Sequence, residues 1–194
     1  MTWARWALIV LFFAAAISLV YRFFPESPQL TLITNTVLPD SYATNVNALQ
    51  MATDGLPSSR LQTPSLIHYQ QDDAADFEQP VVTLYEIDQP SWQITANYGR
   101  SVNAAQTIYV WDNVKAHQAG DAKHLETTLT TSQATVYPHD KIIFTTQPVE
   151  LIRPGLQVQS KGVRANIKDN EITLFSQAQA YYDPNTKPAA ATSK

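Results

Sequence analysis

The chain has 194 residues, of which 44% are apolar and only 15% charged, below the quarter that is usual for a soluble protein. Residues 25–194 hold 11 basic and 17 acidic residues. An acidic chain without a basic stripe excludes a nucleic-acid partner, because clustered Lys and Arg must neutralise the phosphates. The absence of cysteine excludes disulfides, thiolate nucleophiles and thiolate metal sites.

An apolar segment near the N-terminus predicts a transmembrane anchor over residues 6–24, preceded by a cytoplasmic N-terminus of residues 1–5. As a helix, Trp3 to Phe24 would span about 33 Å, enough for the roughly 30 Å hydrocarbon layer. A cleaved signal peptide is the alternative, because Ala14-Ala15-Ala16 imitates a small-residue cleavage site. Cleavage there would leave a strongly apolar new terminus, so we favour the uncleaved anchor.

Proline-containing segments flank the rest of the chain. Residues 25–43 are predicted to form an extended linker and residues 184–194 a disordered tail. Between them, residues 44–183 show alternating apolar positions, many Thr, Val, Ile and Tyr residues and almost no helical period. We therefore predict one β-domain here. Typical strand cores are Ile108–Val110, Ile142–Phe144 and Ile172–Leu174.

A repeat of about 30 residues organises this domain. Its anchor positions are Thr63, Ala96, Thr131 and Ser160, spaced 33, 35 and 29 residues apart. Apolar residues recur two residues before each anchor and three, twelve, fourteen and eighteen residues after it. Eighteen of these twenty positions are apolar, whereas the composition predicts about nine. Turn residues recur eight to ten residues past each anchor, and Pro80 and Pro148 mark corners between short strands.

One such unit cannot bury its apolar face alone, so the four units must stack. With no helix to cover a sheet, the inward side chains must face a second sheet. The sequence therefore predicts an all-β sandwich or jelly roll with a long apolar interior. The same pattern fits a ligand groove and a filled core, so the residues alone leave both open.

No motif in the sequence carries catalytic or metal-binding chemistry. It lacks a Gly-rich phosphate loop, a nucleophile elbow and a paired-His motif. The four histidines, His68, His117, His124 and His139, have no metal-ligand spacing. We therefore predict a protein that is not an enzyme and has no cofactor or metal.

The anchor, linker and repeats together resemble the LptC family, the bitopic inner-membrane component of lipopolysaccharide export in Gram-negative bacteria. The resemblance covers nearly the whole chain, and only the combination of its motifs is specific. The motifs are Asp54-Gly-Leu-Pro-Ser-Ser-Arg-Leu-Gln-Thr63, Phe77-Glu-Gln-Pro-Val81, Trp92-Gln-Ile-Thr-Ala-Asn97 through Asp112-Asn-Val114, and Pro154-Gly155. Thr63, Thr131 and Ser160 stand where the family commonly has Ala, a departure that keeps the side chain small.

The resemblance implies a twisted β-jelly roll that a preceding helix, residues 6–24, fixes to the inner membrane, with the bulk of the chain in the periplasm. Its interior would receive the lipid A acyl chains of lipopolysaccharide from the ABC transporter LptB2FG, whose membrane subunits are LptF and LptG. It would pass the lipid to the soluble bridge protein LptA by edge-to-edge strand pairing. An acyl ligand needs apolar area rather than precise polar contacts, which an apolar interior supplies.

This hypothesis assigns three sets of site residues. The predicted groove lining is Leu66, Phe77, Ile94, Ile108, Val110, Phe144, Val163 and Leu174. The predicted LptA-pairing edge is Ala178, Ala180, Tyr181 and Tyr182, and the predicted transporter-side edge is Asn47, Leu49 and Met51. Which alternating face of each strand points inward stays open. Two rival functions also stay open: a membrane-tethered β-scaffold that binds only protein partners, and a soluble LptA-like bridge with a cleaved signal.

Overall fold

The computed structural model describes residues 38–183, which form eleven antiparallel strands and a short 3-10 turn at Gln71–Asp73. The strands are β1 (Ser41–Met51), β2 (Pro57–Tyr69), β3 (Ala74–Glu78), β4 (Val81–Leu84), β5 (Trp92–Thr95), β6 (Tyr98–Val102), β7 (Thr107–Gln118), β8 (Thr127–Tyr137), β9 (Ile142–Arg153), β10 (Leu156–Asn166) and β11 (Glu171–Tyr182). The predicted all-β class is confirmed.

The boundaries refine the sequence predictions. β1 begins at Ser41, so residues 41–43, which we assigned to the linker, belong to the β-domain. The three predicted strand cores lie in β7, β9 and β11, and the four predicted turns separate strands. The predicted cytoplasmic N-terminus, anchor, remaining linker up to residue 37, and tail from residue 184 lie outside the described residues.

The sheet is doubled over into two layers because β2 and β7 change partners between their two halves, while the ladders of β7–β8, β8–β9, β9–β10 and β10–β11 shift register part-way along. One half of β2 pairs with β4 and the other with β3, while β7 pairs with β5 and β6 in the same divided way. We call the first layer residues 41–44, 65–78, 98–111, 135–145 and 163–174, and the second layer residues 46–62, 81–95, 114–131, 149–160 and 178–182. Each long strand therefore contributes to both layers, as in a jelly roll.

A line of backbone corners separates the layers. At these corners the ladder register shifts, as it does between Trp111 and Val114. The corner residues with positive φ are Asn45, Gln79, Asp112, Asn113, Gly162 and Gln177. Gly162 has φ +91°, and a Cβ there would lie 2.6 Å from the ring of Phe175. Only glycine fits this corner of β10.

The repeat anchors lie along this line, and three of them, Thr63, Thr131 and Ser160, donate a hydroxyl hydrogen bond to carbonyl groups near the corners. Thr63 Oγ1 lies 2.7 Å from the carbonyl oxygen of Ser65 and 2.5 Å from that of Glu78. Ser160 Oγ donates to the carbonyl of Gly162 at 2.9 Å. The hydroxyl groups at these two anchors therefore satisfy carbonyl groups at their corners.

Thr63→Val is expected to lower the free energy of unfolding by about 1 kcal/mol, because it leaves the partly buried carbonyl groups of Ser65 and Glu78 without their hydroxyl donor. Thr63 is only 4% exposed, so water cannot replace the bond without local opening. Urea denaturation followed by circular dichroism measures the change. The control is Thr146→Val, which alters an exposed threonine of strand β9. Equal stability of the two variants would contradict this role for the hydroxyl.

Candidate functional site

The space between the layers is lined by rows of side chains that are cross-strand partners of one another. One row of the first layer is Leu66, Phe77, Gly99, Val110 and Ala134, and the next is Ala75, Ser101, Ile108, Val136, Ile143, Ala165 and Ile172. A row of the second layer is Leu61, Val82, Ile94, Ala116, Leu129, Leu151, Val158 and Ala180. These rows run across the strands from β1 towards β11.

Each layer has nine strands between β1 and β11 inclusive. At about 4.8 Å between neighbouring strands, a row extends roughly 38 Å. The buried apolar side chains of the described residues form one cluster, with five half-buried residues packed against it: Leu61, Leu66, Leu156, Ile172 and Leu174. The interior is thus a continuous apolar strip that ends at both edge strands.

Seven of the eight predicted lining residues lie on the inward face. They are Leu66, Phe77, Ile94, Ile108, Val110, Val163 and Leu174. The prediction that Phe144 lines the interior is wrong. Phe144 alternates with buried Ile143 and Thr145, so its side chain lies on the outer face of β9, where its ring centroid is 5.8 Å from that of Phe175. Within a run of three apolar residues, alternation does not indicate which face of the strand points inward.

Sequence reasoning missed most of the second-layer lining, because Ile94 was its only predicted member there. The missed residues include Leu84 and Trp92, which are 0% and 3% exposed. The repeat already held a signal for part of this set. All four residues that precede the anchors by two positions, Leu61, Ile94, Leu129 and Val158, fall in the one second-layer row.

Lys141 joins the ends of the two layers that lie away from the corners. It belongs to the turn before β9, and its Nζ donates to the carbonyl of Tyr85 at 2.6 Å and to Ser58 Oγ at 3.0 Å. Burial lowers the pKa of Lys141, while the carboxylate of Glu86 opposes that shift. A second bridge runs from the Gln89 amide to the carbonyl of Ile167 at 2.8 Å. These polar bonds close one side of the apolar interior.

Both edges of the sheet are exposed strands. β1 pairs only with β2, and β11 pairs only with β10, within the described residues. On β11, Tyr181 is 73% and Tyr182 70% exposed, and Ala178 and Ala180 are exposed too. On β1, Asn47, Leu49 and Met51 are exposed. Each edge offers backbone donors and acceptors to a further strand.

A comparison with models of known protein families assigns this chain to a family. The sequence model of the family described as "Lipopolysaccharide-assembly, LptC-related" matches residues 7–183. The chain belongs to the LptC family. This confirms the resemblance drawn from the repeat motifs, and it gives the β-domain a role in lipopolysaccharide transport as a periplasmic scaffold. Proteins of the LptC and LptA families are transport scaffolds and not known enzymes.

A solved structure confirms the fold of this LptC-family chain. It is the crystal structure of LptH from Pseudomonas aeruginosa, the LptA-homologous periplasmic component of the conserved lipopolysaccharide transport device. The match has a TM-score of 0.52 and 11% sequence identity, and it covers 65% of this chain and 95% of LptH. No curated protein matched the sequence. At this identity the likeness concerns the jelly-roll fold alone.

Two properties of the described residues bear on the remaining predictions. Within residues 38–183, no group of three or more His, Asp or Glu side chains is placed to hold a metal ion. No helix in this part of the chain is long and apolar enough to cross a membrane. The predicted anchor precedes this part and stays a prediction.

His68 binds the start of β1 to the turn after β2 at the end of the first layer. Its Nδ1 lies 2.7 Å from Asp40 Oδ1 and its Nε2 lies 2.8 Å from Asp73 Oδ1. Hydrogen bonds to Asp73 and then Asp40 raise the pKa of His68. The hydrogen bond from His68 lowers the pKa of Asp40. The imidazolium therefore holds two carboxylates from different elements.

The attachment of β1 is expected to weaken as the pH rises. Because the folded pKa of His68 is raised, its stabilisation is complete below the ordinary value of 6.5 and is lost as pH passes through the raised pKa. The contribution of Asp40 is lost only on acidification below 3.8, through its lowered pKa. Hydrogen exchange of the amides of residues 41–44, corrected for intrinsic rates, should accelerate in one step as the pH rises through the raised pKa of His68. His68→Gln should abolish that step, and a step that persists in His68→Gln would assign it elsewhere.

Proposed function

We propose that this LptC-family chain is a single-pass inner-membrane protein that receives lipopolysaccharide from LptB2FG and passes it to LptA. In this proposal residues 6–24 anchor the chain and the β-domain lies in the periplasm. The lipid A acyl chains lie between the two layers, and the sugar part stays outside them. LptF and LptG contact the β1 edge, and LptA extends the sheet at β11.

The observation that carries the proposal is the apolar strip between two free edges. Here the inward rows run from exposed β1 to exposed β11. A strand added at either edge would continue both the sheet and the strip. Burying acyl chains there is favourable by roughly 25 cal/mol per Å² of apolar surface.

Lipid entry requires the layers to separate at one side. Buried side chains occupy the interior, and Val110 and Ile94 are 2% and 0% exposed. The bonds from Lys141 and Gln89 join the layers at the side opposite the corners. We propose that this side opens when lipid enters, because the corners carry continuous backbone and cannot part.

Co-purification tests the proposal. The full chain, extracted in detergent from Gram-negative cells, is expected to retain LptF and LptG, to capture LptA and to carry lipopolysaccharide detectable by mass spectrometry. Capture of LptF, LptG and LptA with no lipopolysaccharide at any stage of transport would instead support the protein-only scaffold. The well-filled interior is the observation that favours that second function.

The mature N-terminus separates the anchored protein from a soluble LptA-like bridge. Mass spectrometry of the protein purified from membranes is expected to find Met1 or Thr2 at the terminus. A terminus after the Ala14-Ala15-Ala16 site would instead show cleavage, and the anchor would then be wrong.

A further inference from the structure

A small cation-lined pocket lies at the free end of the second layer. Its volume is about 210 Å³, and it is lined by Gln118, Lys123, His124, Leu125, Thr127, Arg153 and Asn170. Two of these residues are basic, one is an imidazole and none is a carboxylate. The described part of the chain has nine basic and sixteen acidic residues. The pocket thus concentrates positive charge on an otherwise acidic domain.

The imidazole of this pocket is held in place by a neighbouring carboxylate. Asp121 Oδ1 accepts hydrogen bonds from the backbone amides of Lys123 and His124, each at 2.7 Å, and lies 2.9 Å from His124 Nδ1. The backbone amide of Lys123 is the main cause that lowers the pKa of Asp121. The ionised carboxylate makes Nδ1 the donor nitrogen. Within residues 38–183, His124 Nε2 has no hydrogen-bond partner.

The guanidinium of Arg153 is likewise oriented through one nitrogen. Its Nε donates to Thr127 Oγ1 at 3.0 Å. Its two terminal Nη groups make no hydrogen bond with any other described residue. Thr127 is 1% exposed and donates in turn to the carbonyl of Leu125 at 3.0 Å. Arg153 therefore presents two donor nitrogens and a full positive charge from a side chain whose Nε is held by Thr127, a geometry that suits a phosphate.

The pocket adjoins the apolar interior. Arg153 follows Leu151 by two positions on β9, so the two side chains share the inward face about 7 Å apart. Leu151 is 4% exposed and belongs to the core. Gln118 and Thr127 are the cross-strand partners that complete this polar end of the layer. A molecule that spanned the boundary would meet apolar side chains on one side and cations on the other.

We propose that the pocket binds a phosphate monoester, and that its source is the headgroup of an amphipathic lipid whose acyl chains lie between the layers. The assignment of a lipid rests on the proposed function, because lipid A carries phosphates next to its acyl chains. The phosphate is held by Arg153 and Lys123, and the imidazolium form of His124 donates a further hydrogen bond through Nε2. Free inorganic phosphate has the same chemistry and is the other source.

Lipid binding by the full chain in detergent micelles tests this site. The probes are lipid A with its phosphates, lipid A from which the phosphates have been removed, and inorganic phosphate alone. The wild type is expected to bind the phosphorylated lipid about tenfold more tightly than the dephosphorylated one. The double variant Lys123→Gln/Arg153→Gln should bind both lipids equally. Lys168→Gln, in the exposed turn before β11 and outside the pocket, should keep the preference.

The outcomes separate the claims. A phosphate preference that the double variant loses and Lys168→Gln keeps supports the lipid-headgroup site. Inorganic phosphate is titrated while the NMR resonances of the His124 side chain are followed. If phosphate shifts these resonances in the wild type but not in the double variant, and the wild type does not prefer the phosphorylated lipid, free phosphate is the source. No response in either assay overturns the site. If neither lipid binds wild type, the proposed function fails, and the inorganic phosphate titration still decides the site.

Discussion

Ile143→Asp is expected to unfold the β-domain, whereas Phe144→Asp, one residue along, should leave it folded. Ile143 is 3% exposed and lies in an inward row of the first layer. An aspartate there places a carboxylate among apolar side chains with no partner, which costs more than about 4 kcal/mol. Since domains are commonly stable by about 5–15 kcal/mol, most of that stability would be lost.

The adjacent position is the matched control. Phe144 lies on the outer face beside Phe175, so its replacement removes an aromatic contact but buries no charge. Such aromatic pairs contribute about 0.5–1.5 kcal/mol. Circular dichroism and thermal unfolding of both variants measure the difference. A folded Ile143→Asp protein together with an unfolded Phe144→Asp protein would contradict the assignment of Ile143 to the inward face of β9.

Deletion of residues 178–194 is expected to abolish binding to LptA while association with LptF and LptG persists. The deletion removes the second-layer half of β11, including Ala180, Tyr181 and Tyr182, and uncovers the partner half of β10. The first-layer half of β11 and all of β1 remain. LptA would lose the edge to which its own strand pairs, whereas the transporter contacts the opposite edge.

The control for this deletion is removal of residues 184–194 alone, which keeps β11 intact and should bind LptA normally. Pull-down of LptA and co-purification of LptF and LptG give the two readouts, with circular dichroism to verify folding. Loss of LptF and LptG from a folded protein that lacks 178–194 would mean that the edges are exchanged or act together.

The repeat explains how far the fold could be predicted. Equivalent positions of stacked units must share a row, so Ala75, Ile108, Ile143 and Ile172 fall together in the first layer as the spacing required. The same logic placed the corners, because Pro80 and Pro148 cannot donate to a ladder. The existence of two layers followed from an apolar face with no helix to cover it.

The face of Phe144 could not be predicted in the same way. The run from Ile142 to Phe144 is apolar throughout, so alternation cannot show which of its side chains point inward. Phe144 was therefore assigned to the wrong face of β9. The inward face of β9 depends on the turn that starts it, where Lys141 has φ 57°. That turn is tied by Lys141 to Ser58, which lies 83 residues away in sequence. A contact over such a distance leaves no local pattern.

The phosphate pocket escaped sequence reasoning for a related reason. His124 was considered only as a metal ligand and was set aside because the histidines lack metal-ligand spacing. Its partners Arg153 and Asn170 come from separate parts of the chain that meet only after the layers fold together. Charge counting gave an acidic domain and could not reveal a local concentration of cations.

Photo-crosslinking in living cells tests the central claim, that lipopolysaccharide lies between the layers, most directly. A photo-crosslinking amino acid replaces half-buried Leu66 or Leu174, which face inward near the two edges, and outward-facing Ile67 or Phe175 beside them serves as the control. Lipopolysaccharide adducts at Leu66 and Leu174, with few or none at Ile67 and Phe175, are the predicted result. The absence of adducts at both inward positions, or equal adducts on both faces, would contradict it.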